Sequence, residues 1–363
     1  MPAHTFDGLD TRFRGVLKRT SWTLCIGAGL SAEILPSWKG LTQEVLAQSM
    51  GVPLDDAEFA QIANGTGWGF DALLQASLNA WLARGETEEG FSTLLEESLY
   101  RTLLTEARRL GIERHVVAAF ATPQLLRKDE FAGVLEFLKN RARSTHALAE
   151  ILLEAVHRGC APKAIITLNY DTVLETIIRM LEIQSRSASS GRHEFPPANF
   201  WRIVGPAGGH TDAVPIIHIH GCVMPRTIRR RFRGPHDTRE SVVGPEMSYS
   251  RLAGSAGGWA QTTFMNYAYS DAVVLIGQSL ADPNMRRWLA WSASVRAAES
   301  CRRAKRTIEA LPHFWFKRRP KDAQERVFFE NSVTHLGVRV VWLDSWGQTA
   351  DVMRNLLAIT PPS

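Results

Sequence analysis

Apolar residues follow two different periods along the chain, and the change between them divides it. Short continuous apolar runs, closed by glycine or polar turns, predict buried strands at 22–26 (WTLCI), 163–168 (KAIITL), 215–219, 271–276, 313–316 and 338–343. Between 53 and 158 the apolar positions lie three and four residues apart instead. Phe91, Leu94, Leu95, Leu99 and Leu103 form one such set, Val134, Phe137 and Leu138 another, and Leu148, Ile151 and Leu152 a third. That spacing predicts several helices. Further helices are expected at 42–48, 172–181 and from about 284, with a polar loop at 185–197. Strands alternating with helices predict an α/β fold, a parallel sheet with helices on both faces, plus an α-helical insertion. The expected organisation is one sheet domain made of 1–52 and 159–363, with the helical insertion at 53–158.

The chemistry-bearing residues cluster just past the C-terminal ends of the predicted strands, the edge where open α/β sheets bind ligands. Gly27-Ala28-Gly29-Leu30-Ser31 follows the first strand. Two glycines let a backbone approach a pyrophosphate, and Ser31 can cap the next helix; a plain strand-to-helix turn explains the same residues. Thr167-Leu168-Asn169-Tyr170-Asp171 follows the second. Asn169 offers an uncharged amide to a ribose hydroxyl or a water, and Asp171 an acceptor for a carboxamide; a helix N-cap is the alternative for both. Ile217-His218-Ile219-His220-Gly221 carries two histidines two residues apart. His220, at the strand end, suits acid–base work, whereas His218 reads as a buried structural histidine. In Gly277-Gln278-Ser279-Leu280-Ala281-Asp282, Ser279 is placed for ribose or phosphate and Asp282 for capping the following helix.

Composition narrows the classes. With 363 residues, 45% hydrophobic and 22% charged, the chain is an ordinary globular one. No apolar run approaches the ~18 residues of a membrane span, and the first residues lack a signal-like apolar stretch, so no membrane association and a cytoplasmic location are expected. The net charge of +5 is unevenly spread. Six arginines against two acids lie between Pro225 and Glu240, and ten Lys/Arg against two Glu between Arg286 and Pro320. These stretches fit either a solvated face with a phosphate-supporting loop or a nucleic-acid contact. Cys25, Cys160, Cys222 and Cys301 stand far apart with no CxxC pair, which argues against structural zinc and against a disulfide framework.

Taken together, the order GAGxS, TxNxD, His-Gly and GxSLxD resembles the sirtuin superfamily, whose fold is a Rossmann-like NAD-binding domain. The resemblance covers roughly residues 20–48 and 161–363. It implies Asn169 and His220 as the catalytic pair, with Gly27, Ala28, Gly29, Ser31, Trp38, Asp171, Gly277, Ser279 and Asp282 around the dinucleotide. Two features depart from protein deacylases of that superfamily. Their four-cysteine zinc module is absent, and where they carry Gly-Ile-Pro-Asp-Phe-Arg this chain has Leu35-Pro36-Ser37-Trp38-Lys39. The Asn-Tyr-Asp tripeptide, the Pro-x-Trp and the helical insertion look like sirtuin-like domains of bacterial anti-phage systems, as does the stretch 241–249.

That likeness implies an NAD hydrolase, with NAD as substrate and no metal, cleaving the nicotinamide–ribose bond and depleting NAD in an infected cell. In that reading Asn169 orients the ribose or the attacking water, His220 assists proton removal, Asp171 holds the nicotinamide amide, and the Gly27–Ser31 backbone fixes the pyrophosphate. The alternatives are an NAD- or ADP-ribose-binding regulatory subunit without turnover, and a zinc-free deacylase. A homo-oligomer and an activating HerA-like ATPase are the expected partners. The insertion is expected to mediate self-assembly and cover the NAD crevice. The arginine-rich loop 227–233 is expected near the site mouth, raising local NAD concentration, with DNA contact as the alternative.

Overall fold

Six of the eight strands are nearly continuous apolar runs, because each is covered on both faces. A computed structural model of the chain describes residues 6–7, 13–190, 199–204, 212–225, 258–302 and 313–359. The strands are β1 (Phe6–Asp7), β2 (Trp22–Ile26), β3 (Ile165–Thr167), β4 (Phe200–Ile203), β5 (Val214–His218), β6 (Ala272–Ile276), β7 (His313–Arg318) and β8 (Val338–Leu343). They form one sheet in the order β1-β8-β7-β6-β2-β3-β5-β4. Every neighbouring pair is parallel. Leaving out the outermost β1 and β4, the connectivity runs outward in both directions from β2, which is the doubly wound arrangement of dinucleotide-binding folds. The strand order therefore reverses between β2 and β6.

Alternation along each strand assigns side chains to two cores. Leu24, Ile26, Val274, Ile276, Phe314 and Val341 belong to one face. Cys25, Ile166, Val273, Leu275, Trp315 and Val340 belong to the other. The second face is closed by α9 (Trp259–Ser270), α10 (Pro283–Arg302) and α11 (Ala323–Thr334), through Phe264, Met285, Leu289 and Val333.

The first face carries α1 (Trp38–Met50), α8 (Val173–Ser190) and α12 (Thr349–Leu357). Six more helices run between α1 and β3: α2 (Asp56–Thr66), α3 (Phe70–Ala83), α4 (Glu88–Arg109), α5 (Glu113–Ala121), α6 (Lys128–Arg141) and α7 (Arg143–His157). Apolar residues of α4 to α7 share a single cluster with the strands, including Leu95, Leu103, Phe120, Leu138 and Leu152. Helix α7 packs beside α8 and α12.

Several elements are longer than their apolar pattern, or carry too little of one. Helix α1 spans 38–50 because Ser37 caps it, accepting from the Gly40 N–H, and Gly51 ends it in the left-handed region. The loop expected from 185 begins later: α8 continues to Ser190, since a polar segment can extend a helix without apolar residues. β1, β4, α9, α11 and α12 have no counterpart in the pattern reading. The arginine-rich loop 227–233 and the stretch 241–249 lie outside the described residues.

At the reversal between β2 and β6 the two strand-end loops touch backbone to backbone. A Cβ on Gly277, whose φ is +70°, would lie 2.4 Å from the Leu30 nitrogen and 2.7 Å from the Gly27 carbonyl oxygen. A Cβ on Gly27 or Gly29 would lie 2.7 or 2.9 Å from the Gly277 carbonyl oxygen. Gly277→Ala combines a left-handed backbone with this overlap, so a loss of about 2 kcal/mol or more is expected. A lowered denaturation midpoint at unchanged m-value checks it; a wild-type midpoint would show that the loops separate freely.

Candidate functional site

Register brings the four motifs to one edge. Ile26 pairs with both Thr167 and Ile276, and Thr167 with His218, so the segments after β2, β3, β5 and β6 leave the sheet side by side. Within this group Gly27, Gly29 and Gly277 meet directly. Their spacing reads differently once packed. The missing Cβ positions face the opposite loop, including the Gln278 side chain, whose Nε2 donates to the Ile26 carbonyl at 2.7 Å. The N–H groups of Gly27, Gly29, Leu30 and Ser31 donate to the carbonyls of Ile276, Gly277, Gly27 and Ala28. Loop-to-loop packing therefore accounts for the glycines without a pyrophosphate.

Ser31 does not cap α1, which Ser37 does; it closes the short turn Ala28–Leu30 and is buried. Its hydroxyl bonds to the Asp171 carboxylate. Asp171 also accepts from the Val173 N–H at 3.0 Å, the start of α8. Burial pushes the Asp171 carboxyl up, with the Val173 N–H and Ser31 opposing the shift. Trp38 is half-buried and meets the Tyr170 ring edge-on at 5.4 Å between centroids. Asp282 accepts from the N–H groups of Asn284 and Met285 at 2.7 and 3.4 Å, as a cap should. Ser279 is exposed and accepts from the Ala281 N–H. Between them Leu280 is buried with φ +53°, a left-handed backbone that costs a non-glycine residue about 1 kcal/mol or more.

Asn169 is the unusual member. It is 6% exposed, and neither its Oδ1 nor its Nδ2 has a hydrogen-bond partner among the described residues. Leaving both halves of a buried amide unpaired costs about 1–3 kcal/mol for each group. Its backbone, by contrast, is held firmly. The N–H donates to the Thr167 hydroxyl at 3.0 Å. The carbonyl lies 3.4 Å from His218 Nδ1, and His218 Nε2 lies 3.4 Å from Glu175 Oε2. Glu175 in turn pairs with Arg202 on β4. Burial alone would raise the Glu175 carboxyl, but Arg202 and His218 hold it below the usual carboxylate range.

His218 ends β5 beneath the site, and His220 sits in the turn beyond it, 4% exposed. Burial pushes the His220 imidazole down to about 4, opposed by Asp282 and by a hydrogen bond to the Leu168 carbonyl. It is therefore an uncharged imidazole at neutral pH.

Tyr100, Glu175, Arg202 and Gln278 were not visible as site residues in the sequence. Tyr100 occupies an apolar position of α4 and reads as core; its phenol donates to the Val223 carbonyl at 2.8 Å and accepts from the Thr172 N–H at 3.1 Å. No group of three or more metal-ligating side chains occurs among the described residues, and none of the described helices is long and apolar enough to cross a membrane.

Compared with known families, residues 163–336 match the model of the SIR2-like domain. The matched stretch is similar to that family. It spans β3 to α11 and contains Asn169, Asp171, His220, Gly277, Ser279 and Asp282, while the Gly27–Ser31 loop and Trp38 precede it. The SIR2-like family uses NAD; in this chain the four motifs meet at one edge of a doubly wound sheet. No curated protein matches the chain significantly.

Buried neutral histidines make stability depend on pH with a definite sign. His220 titrates near 4 and His313, whose Nδ1 accepts from the Val273 N–H, near 3 when folded. In the unfolded chain both titrate at about 6.5. The unfolded chain binds the extra protons in between, so their contribution is present above pH ~6.5 and lost as pH falls through the folded values. The melting temperature is expected to fall between about pH 6.5 and 4, less steeply in His313→Gln. Equal slopes for variant and wild type would remove His313 from this account.

Proposed function

We propose that the protein hydrolyses NAD at the nicotinamide–ribose bond, releasing nicotinamide and ADP-ribose. The observation that supports this most is the Asn169 amide, uncharged, buried and without a partner among the described residues, within the stretch that matches the SIR2-like domain. An unpaired amide with one donor and one acceptor half matches a ribose hydroxyl or an attacking water, each of which both donates and accepts. The amide oxygen also suits this position, because its partial negative charge favours the positive, oxocarbenium-like character that the ribose carbon gains as the bond stretches.

In this reading a water oxygen bonds to the ribose C1′ while the C1′–N bond breaks. The bonding electron pair stays with nicotinamide, whose ring was cationic and leaves neutral. Asn169 orients the ribose or the water. His220, held uncharged by burial, accepts the proton that the water gives up and passes it to solvent. Asp171 has spent part of its acceptor capacity on Val173 and Ser31; a carboxylate retains further lone pairs for the nicotinamide carboxamide. Trp38 and Tyr170 form an aromatic wall beside it. Gly27, Ala28, Gly29, Gly277, Ser279 and Asp282 shape the crevice that receives the rest of the dinucleotide.

The biological role extends the sequence resemblance: depletion of NAD as an anti-phage effector in the cytoplasm. Such an activity has to be held off in a healthy cell, so assembly into a homo-oligomer and engagement by an activating subunit such as a HerA-like ATPase belong to the same proposal. Nucleic-acid contact by the basic stretches is the competing use of those residues.

Incubating the purified protein with NAD and measuring free nicotinamide tests the reaction. Asn169→Ala and His220→Ala are each expected to lower the rate by about 10²-fold or more, the usual effect of losing a positioning or acid–base group. Near wild-type turnover in either variant would remove that residue from the mechanism. Tight NAD binding without nicotinamide release by the wild type would point instead to a regulatory binding module.

A further inference from the structure

The loop that carries Asn169 and the turn that carries His220 belong to different strands, β3 and β5, and their relative position is not set by the sheet alone. Beyond the strand ends, the Val223 N–H donates to the Tyr170 carbonyl at 2.8 Å, and His218 and His220 reach the carbonyls of Asn169 and Leu168. A further link comes from outside the sheet. Tyr100, on α4 of the helical block, is fully buried, and its hydroxyl takes the Thr172 N–H at 3.1 Å while giving its proton to the Val223 carbonyl at 2.8 Å. Thr172 and Val223 stand three residues beyond Asn169 and His220 respectively. Burial, with Asp171 nearby, pushes the phenol well above its ordinary range, so the hydroxyl keeps the proton that this bridge needs.

We infer that Tyr100 is a positioning residue for the proposed reaction: its hydroxyl pins the Asn169 loop to the His220 turn and so sets the two side chains relative to each other. The inference rests on the NAD-cleaving reading of the site. It gives the helical block a part in the chemistry that apolar packing does not require. An oxygen is unnecessary for filling the core between α4 and α5, where the Tyr100 ring meets Phe120 edge-on at 5.6 Å. Here that oxygen completes two backbone bonds that no strand or helix supplies. Any displacement of α4 relative to the sheet is then felt at both loops together.

The test compares Tyr100→Phe with Phe120→Leu in the full chain. The first removes only the hydroxyl, and the second loosens the same aromatic contact while keeping it. Amide hydrogen exchange is followed in 168–175 and 219–225, and nicotinamide release is measured over a range of NAD concentrations. Tyr100→Phe is expected to speed exchange in both segments and to lower kcat by about ten-fold or more, since misplacing reacting groups by an ångström is that costly. KM is expected to stay within about two-fold, because ground-state contacts persist. Phe120→Leu is expected to do neither. Unchanged exchange in Tyr100→Phe overturns the inference, as does wild-type kcat despite faster exchange, or an equal loss of kcat in Phe120→Leu. If the wild type releases no nicotinamide, the proposed reaction fails separately, and the exchange pattern alone upholds or overturns the pin.

Discussion

The close approach of the β2 and β6 loops is the constraint on which the arrangement of the site depends. At a strand-order reversal, neighbouring connections go to opposite faces of the sheet, and a crevice opens between them. Here its floor is drawn shut by backbone contact: Gly29 donates to the Gly277 carbonyl, and no Cβ fits between. Gln278, reaching back to the Ile26 carbonyl, locks the same junction from the side. Next to this junction, at the end of β3, the Asn169 amide has no hydrogen-bond partner among the described residues.

The contrast between Asn169's backbone and its side chain is energetically informative. Its peptide is anchored at both ends, by the Thr167 hydroxyl and by His218, and His218 is backed by the Glu175–Arg202 pair. Burying such a charged pair is expensive, and apolar replacements of similar volume are often no less stable. The pair is therefore better understood as fixing geometry than as adding stability. Rigid backbone beneath an unsatisfied side chain is the form expected of a group that waits for a ligand, since a mobile one would turn to find a protein partner.

How much of this was legible in the sequence follows from what each signal measures. Apolar runs located β2, β5, β6 and β8 to within a residue or two, because strands buried on both faces must be apolar throughout. β4 was missed because Phe200–Ile203 is short and carries Arg202 in its middle, an arginine held in a partly buried ion pair with Glu175. Helix α12 has a clean apolar stripe and could have been found; α11 exposes Val327 and Phe328 and offers no such stripe. The motif residues predicted that four strand ends share one edge, as the register has them, but not their partners. Spacing records which residues leave a strand together. It does not record that Ser31 would satisfy Asp171, or that the glycines would pack against one another.

Tyr100 marks the limit of that approach. A tyrosine at an apolar helical position is indistinguishable in sequence from any other core aromatic, and its separation from Thr172 and Val223 places the contact beyond any local pattern. The reason it matters is architectural. The stretch between β2 and β3 must cross from one strand to its neighbour, and a single helix would be enough to do so. This chain uses seven, and the apolar faces of α4 to α7 merge with the sheet's own core, while α2 and α3 also pack with α1 in a small cluster of their own. A merged core transmits displacement, because close-packed side chains deform little. The helical block is therefore mechanically part of the site even where it contributes no group to the ligand edge, and the tyrosine hydroxyl is the point at which that packing becomes a directional bond.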